Sequence, residues 1–269
     1  MTDVKIRAGT SAFTAEGWDG SFYPAGMPAR DYLSYYATKF DTVEVDSTFY
    51  RTPAVATVQG WYKKTPGDFL FALKVPQVIT HEKVLVDCED DLKLFLSAAS
   101  ELREKLGPVL LQFGYFNKSA FKSQAEFLAR LKPFLKTLPK DFQFALEIRN
   151  KYWLDARFVD LLRESHVALA LIDQSWMPRP WEMKGNLDLV TSDLLYVRWL
   201  GDRKGIEEVT KSWDKTVVDR RSDLKNWVEL LKKLVKDKRI QRAVTYANNH
   251  YAGHAPATVA LFRELWQGK

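Results

Sequence analysis

Eight short β-branched or apolar runs begin near Val4, Thr42, Phe69, Val109, Gln143, Val167, Leu194 and Arg242, and amphipathic helical stretches separate most of them. Helices are expected over Ala29–Lys39, Val55–Lys64, Glu89–Lys105, Ser119–Leu138, Lys151–Ser165, Ser222–Lys236 and Pro256–Trp266; only the sixth crossover lacks one. Strands alternating with helices imply parallel βαβ units, and eight such units spread over about 250 residues match a closed (β/α)8 barrel. An open doubly wound sheet is the rival. No G-x-G-x-x-G follows the first strand and no phosphate-binding G-x-x-x-x-G-K-[ST] occurs, so the expected fold is a single TIM-type barrel domain over residues 1–269.

Composition narrows the setting. With 46% hydrophobic residues and 28% charged ones, the 269-residue chain is ordinary globular material. One cysteine, Cys88, cannot make an intrachain disulfide or a cysteine metal cluster, so a cytoplasmic location is expected. The N-terminal residues lack an apolar signal core, and no window approaches the roughly 20 apolar residues of a membrane span. A net charge of +6 favours anionic partners without choosing between small anions and nucleic acid.

Four connections are long for a barrel: Thr10–Pro28, Val75–Cys88, Asp173–Asp193 and Leu200–Arg221. Each follows a strand, so together they build the face where barrel enzymes carry their chemistry.

Strand parity then sorts the charges. If the bulky apolar residues face the helices, Val43 and Val45 point out and Glu44 and Asp46 point into the lumen. The same rule sends Phe144, Leu146 and Ile148 out and Glu147 and Arg149 in. It also directs Arg7, Lys74, Gln112, Tyr196 and Arg198 inward. A purely structural lumen would hold Val, Ile or Leu, because burying an unpaired charge costs several kcal/mol. Two explanations compete: a self-satisfied ion-pair network, for instance Arg7 with Glu44 and Glu147 with Arg149, or a ligand site. Arg7 fits the network; residues at strand ends fit the site. Several cations at one rim suit an anionic ligand.

Loops add further candidates. Tyr50 and Arg51 follow the second strand, and Tyr246-Ala-Asn-Asn-His-Tyr-Ala-Gly-His254 follows the last. Asn248 and Asn249 are either ligand-orienting carboxamides or helix caps. His250 and His254 have i,i+4 spacing, but Gly253 and Pro256 argue for a loop there. Glu44, Glu147, Asp173, His81 and His250 could surround a divalent ion, yet the guanidinium groups compete for the carboxylates, so no metal is expected. Glu44 and Glu147 are candidates for paired acid and base work, with glycoside chemistry one possibility. No G-x-S-x-G elbow supports a serine nucleophile. Cys88 sits among acidic residues, which disfavours its thiolate. Loop aromatics in Phe13…Trp18…Tyr23 and in Trp176…Trp181 suit stacking on a sugar or base, or simply anchor their loops.

The motifs Gly9-Thr-Ser, Trp18-Asp-Gly-Ser-Phe-Tyr-Pro24, Phe40–Pro53, Ile79-Thr-His81, Leu106–Phe113, Glu147-Ile-Arg149 and Asn248–Pro256 together resemble the YecE-like family, also called domain of unknown function 72. The resemblance runs from about Ile6 to Pro256. It implies a TIM-type barrel and no established reaction. The positions it carries over are Glu44, Thr48, Tyr50, Arg51, Lys74, His81, Gln112, Glu147, Arg149, Tyr196, Arg198, Asn248 and Asn249. The sequence departs from the family pattern in having Asp46 for Asn, Gly114 and Tyr115 for prolines, Leu200 for a frequent His, and Ala247 for an aromatic residue.

The leading expectation is an enzyme, a hydrolase or isomerase, acting on a small anionic or polyhydroxylated substrate. Glu44 and Glu147 would be its catalytic residues. Tyr50, Arg51, Lys74, His81, Gln112, Arg149, Tyr196, Arg198, Asn248 and Asn249 would bind substrate. The sequence leaves cofactor and oligomeric state open. Nucleic-acid binding and noncatalytic metabolite sensing are the alternatives.

Overall fold

The computed structural model describes residues 4–183 and 187–268. Eight parallel strands form the sheet: β1 (Ile6–Thr10), β2 (Thr42–Val45), β3 (Leu70–Lys74), β4 (Leu106–Gln112), β5 (Phe144–Glu147), β6 (Ala168–Gln174), β7 (Leu194–Gly201) and β8 (Arg242–Ala247). They pair in the order β1-β8-β7-β6-β5-β4-β3-β2. The helices are α1 (Tyr32–Lys39), α2 (Val55–Lys63), α3 (Glu89–Ala99), α4 (Gln124–Thr137), α5 (Ala156–Glu164), α6 (Arg203–Val209), α7 (Arg221–Leu234), α8 (Asn249–Ala252) and α9 (Ala255–Trp266). The fold is a nearly closed (β/α)8 barrel.

One tyrosine closes the seam between β1 and β2. The buried Tyr36 hydroxyl on α1 accepts from the Thr10 backbone N–H at 2.9 Å and lies 3.1 Å from the Thr42 carbonyl, to which it can donate. It bridges two strands that share no hydrogen-bonded ladder of their own. Gly9 permits this approach, since a Cβ there would sit 2.1 Å from the Thr42 carbonyl oxygen.

Inside the barrel, small and large residues interlock. Ala72, Ala145, Ala168 and Ala170 leave room for Tyr196 and Tyr246, and Leu70, Leu110, Leu194 and Val244 fill the remainder. On the outer face Val43, Val45, Phe71, Leu73, Leu111, Leu146, Val197 and Trp199 pack beneath the helices. Helix starts are fixed by side chains: Ser123, Asp155 and Asp202 accept from Glu126, Phe158 and Gly205 backbone N–H groups at 3.3, 3.1 and 3.2 Å.

Two stretches expected as loops contain helix. Within Leu200–Arg221, Asp202 caps α6 although Gly205 lies in its first turn. His250 lies on α8, a single turn that Gly253 ends at φ 105°, leaving His254 beyond it. The sixth crossover carries only a short 3-10 turn at Pro180–Glu182 among its described residues. No helix among the described residues is long and apolar enough to cross a membrane.

Candidate functional site

At the carboxyl end of the strands, register sets one polar layer above the apolar lumen. Glu44 pairs beside Ala72, Lys74 beside Leu110, Gln112 beside Glu147, and Arg198 beside Ile172 and Tyr246. Parity does bring Glu44, Lys74, Gln112, Glu147 and Arg198 together.

Arg198 is the centre of the layer. Its Nε and Nη2 donate to Glu44 Oε1 at 3.1 and 2.7 Å, and its Nη1 donates to Glu147 Oε2 at 2.5 Å. Nη2 also reaches Asp46 Oδ1 at 3.3 Å. Tyr196 donates to the other oxygen of Glu44, and Arg149 Nε to the other oxygen of Glu147 at 2.8 Å. Glu44 and Glu147 are each 0% exposed and Arg198 1%. One guanidinium fills the space between the two carboxylates, leaving no room there for a glycosidic bond.

These contacts set the charges. Burial pushes the Glu147 carboxyl up, but Arg198 and Arg149 outweigh it and hold the group down at about 2. Burial dominates at Glu44, helped by Asp46 and opposed by Arg198, so that carboxyl is raised. Glu147 is therefore the firmly ionised partner of the two.

Around this tie stand groups that remain available. Lys74 is buried, and its Nζ lies 3.8 Å from Asp46 Oδ1 and 3.8 Å from the centre of the Phe49 ring. Among the described residues Nζ has no acceptor within hydrogen-bond distance. Its backbone is fixed by Thr48, whose hydroxyl lies 3.0 Å from the Lys74 nitrogen and 2.6 Å from its carbonyl oxygen. Burial lowers the Lys74 ammonium; Asp46 opposes this and Arg198 reinforces it. Arg149 uses only Nε within the site, and the Gln112 carboxamide has no side-chain partner among the described residues. His81 stands at the rim with Nδ1 2.8 Å from Thr80 Oγ1; partial desolvation of its ring, then the cations Lys74 and Arg149, push it down to about 4.

Other expected residues lie elsewhere. Arg7 points to the opposite end of the barrel, donating to the Asp41 and Asp68 carbonyls at 3.2 and 2.7 Å and pairing with the Asp41 carboxylate. It does not meet Glu44. Asp173 faces outward, accepting from Arg179, Trp227 and Tyr251, which removes it from any shared metal shell. No group of three potential metal-ligating side chains forms among the described residues. Asn248 caps α8 and Asn249 accepts from the Ala255 N–H and the Trp18 indole, so both serve the loop itself. Tyr50 and Arg51 are exposed on the rim without a hydrogen bond or ion pair to the cluster among the described residues. Tyr196 lies beneath the polar layer. Phe49, under Lys74, carries no signal of its own in the sequence; Tyr246, expected in the polar segment after the last strand, lies instead on β8 in the lumen, with its hydroxyl 2.8 Å from Thr42 Oγ1.

A family profile described as "Protein of unknown function DUF72" matches residues 7–269. The chain belongs to the DUF72 family. It is similar to UPF0759 protein YecE of Escherichia coli (strain K12), 33% identical over 118 residues that span 44% of this chain and 41% of that protein. A DUF72 family protein from Thermotoga maritima superposes with a TM-score of 0.74 at 26% identity, covering 97% of this chain and 99% of that one. A D-psicose 3-epimerase solved in the presence of D-fructose shares the fold at a TM-score of 0.58 and 10% identity, over 98% of this chain and 100% of that one.

Leu200 packs with Ile172 and Met177 in a small apolar cluster, with Leu154 against it. In this DUF72 chain that side of the mouth offers no imidazole at position 200. His250 is nearby in sequence to the last strand but is tied up by Glu207 at 3.1 Å and Asn248 at 2.5 Å. The available polar groups therefore concentrate on the side of β3, β4 and β5.

Proposed function

We propose that the barrel mouth is an enzyme site for a small anionic or polyhydroxylated substrate. Arg149 and Lys74 hold its negative charge, Gln112 orients it, and Asp46 and His81 exchange protons with it. Glu44 and Glu147 act through Arg198 and Arg149 as positioning residues, rather than as the acid and base themselves. Tyr196 serves the same frame by fixing Glu44. Tyr50 and Arg51 are the rim residues best placed to meet the outer part of a ligand, while Asn248 and Asn249 shape the loop that borders it. A cytoplasmic setting fits the lone, buried Cys88.

The observation that carries this reading is the division among the cations. Arg198 is fully neutralised, whereas Lys74 and Arg149 keep donors that no carboxylate satisfies. Two cavities of about 810 and 850 Å³ at the other end of the barrel are lined by exposed lysines and strand starts, away from the face that supports barrel chemistry. Thermal-shift screening with small carboxylates, phosphate esters and sugar acids tests the site. A ligand should stabilise the wild type by mass action and lose that effect in Arg149→Met. Stabilisation that is absent across the panel, or unchanged in the variant, removes the proposal.

A second reading has its own support. Tyr50, Tyr115, Tyr152 and Trp176 are exposed at 73%, 70%, 84% and 48% on loops after β2, β4, β5 and β6. Such rings could stack bases of a single strand passing over the mouth. Binding of a labelled oligonucleotide that weakens steeply with salt supports it; no binding at low ionic strength removes it.

A further inference from the structure

Resting on the anion site just proposed, we propose that Lys74 is a nucleophilic amine that takes small 2-oxo acids as an imine. Arg149 receives the carboxylate and Nζ attacks the neighbouring carbonyl carbon.

Three features of the site support this. The first is access combined with burial: Lys74 is 8% exposed, ends β3 at the mouth, and is pinned at its backbone by Thr48. A structural buried lysine normally spends its ammonium protons on acceptors, as Lys105 does here with the Tyr62 and Thr65 carbonyls, each at 2.6 Å. Lys74 has none within that range among the described residues. Its nearest carboxylate oxygen, on Asp46, stands off at 3.8 Å.

The second feature is the surrounding charge. Desolvation, the largest effect, and the neighbouring Arg198 favour the neutral amine, which is the nucleophilic form, and together they outweigh the opposing carboxylates of Asp46, Glu147 and Glu44. The third is that the product fits the same place. Overall, the ammonium and the carbonyl compound give an iminium ion and water: a C–N bond forms, the C–O bond breaks, and two nitrogen protons leave with the oxygen. Asp46, the nearest carboxylate at 3.8 Å, carries those protons once Nζ and its oxygen close to hydrogen-bond distance. The iminium keeps one positive charge, so it retains the Asp46 carboxylate and the face of Phe49, 3.8 Å from Nζ. No oxidant or metal enters the step.

Glyoxylate with cyanoborohydride tests it on the full-length protein. Hydride adds to the iminium carbon and leaves N-carboxymethyl-lysine, which peptide mapping locates. Labelling at Lys74 should run several-fold faster than at exposed Lys118 and Lys151, since burial favours the free amine at Lys74 and Arg149 holds the carboxylate beside it. Slower labelling at Lys74 in Arg149→Met would add support. Lys74 unlabelled, or labelled no faster than Lys118 and Lys151, overturns the proposal. The map is read on the wild type, so the result does not depend on whether Lys74→Met folds. Glycolate, which carries a hydroxyl in place of the aldehyde, separates the two layers of inference. If glycolate stabilises the protein while Lys74 stays unlabelled, the imine fails and the anion site survives. If glycolate does nothing and Lys74 stays unlabelled, both fail.

Discussion

Arg198 on β7 donates to Glu147 on β5 at 2.5 Å across the top of the lumen, with neither residue more than 1% exposed. The same guanidinium holds Glu44 on β2, so one side chain ties three strands that are not neighbours in the sheet. A buried tie of this kind is weak evidence for net stability, but removing one partner strands the others.

Arg198→Met should therefore cost about 3–5 kcal/mol, read as a lowered urea midpoint. Glu44→Gln should be milder than Glu147→Gln at neutral pH, because Glu44 is the carboxyl whose neutral form burial favours. Equal losses in the two variants would contradict this asymmetry.

Acid should uncover Glu147. Its folded value of about 2 lies below the ordinary 4.5, so its contribution is present above 4.5 and is lost as pH falls through about 2. The shift corresponds to about 3 kcal/mol at full ionisation. Glu44 runs the other way: a raised value favours the protonated fold, and that preference fades as pH rises through its folded value. Urea midpoints of the wild type and Glu147→Gln should converge as pH falls from about 5 towards about 2. A constant gap would count against the assignment.

The β1–β2 seam makes a separate demand. Tyr36→Phe leaves the Thr10 N–H and Thr42 carbonyl without their bridge and should cost about 1–3 kcal/mol. Gly9→Ala should cost more, since its methyl would lie 2.1 Å from the Thr42 oxygen. Thermal unfolding of both variants checks the order.

Arg149→Met should weaken a bound carboxylate by about tenfold or more, the loss of one charge-assisted contact, and should also lower the thermal midpoint of the ligand-free protein, because it takes the Nε donor from buried Glu147. Isothermal titration with the best thermal-shift hit measures it. An unchanged dissociation constant would move the anion elsewhere.

Much of the barrel was legible because alternation reports which face a residue takes. Val43 against Glu44, and Leu146 against Glu147, carried the lumen assignment correctly. Alternation does not report which end of the barrel a side chain reaches, and Arg7, early in β1, therefore went to the wrong mouth. Nor does it choose partners. Glu147 with Arg149 was foreseen, but the dominant bond from Arg198 depends on strands brought together by closure. Asp173 was misread because its outward parity lay in a strand end taken for a loop; it satisfies Trp227 and Tyr251 between sheet and helices. Phe49 was hidden because nothing local says that a lysine 25 positions later will sit over its ring.

Crystals soaked with glycolate would test the account most directly. Density for the carboxylate within hydrogen-bond reach of the Arg149 guanidinium, with its hydroxyl turned to Lys74 Nζ, is the expected result. Density confined to the opposite end of the barrel, in the cavity bordered by Lys39, Lys232, Lys236 and Arg263, would contradict it.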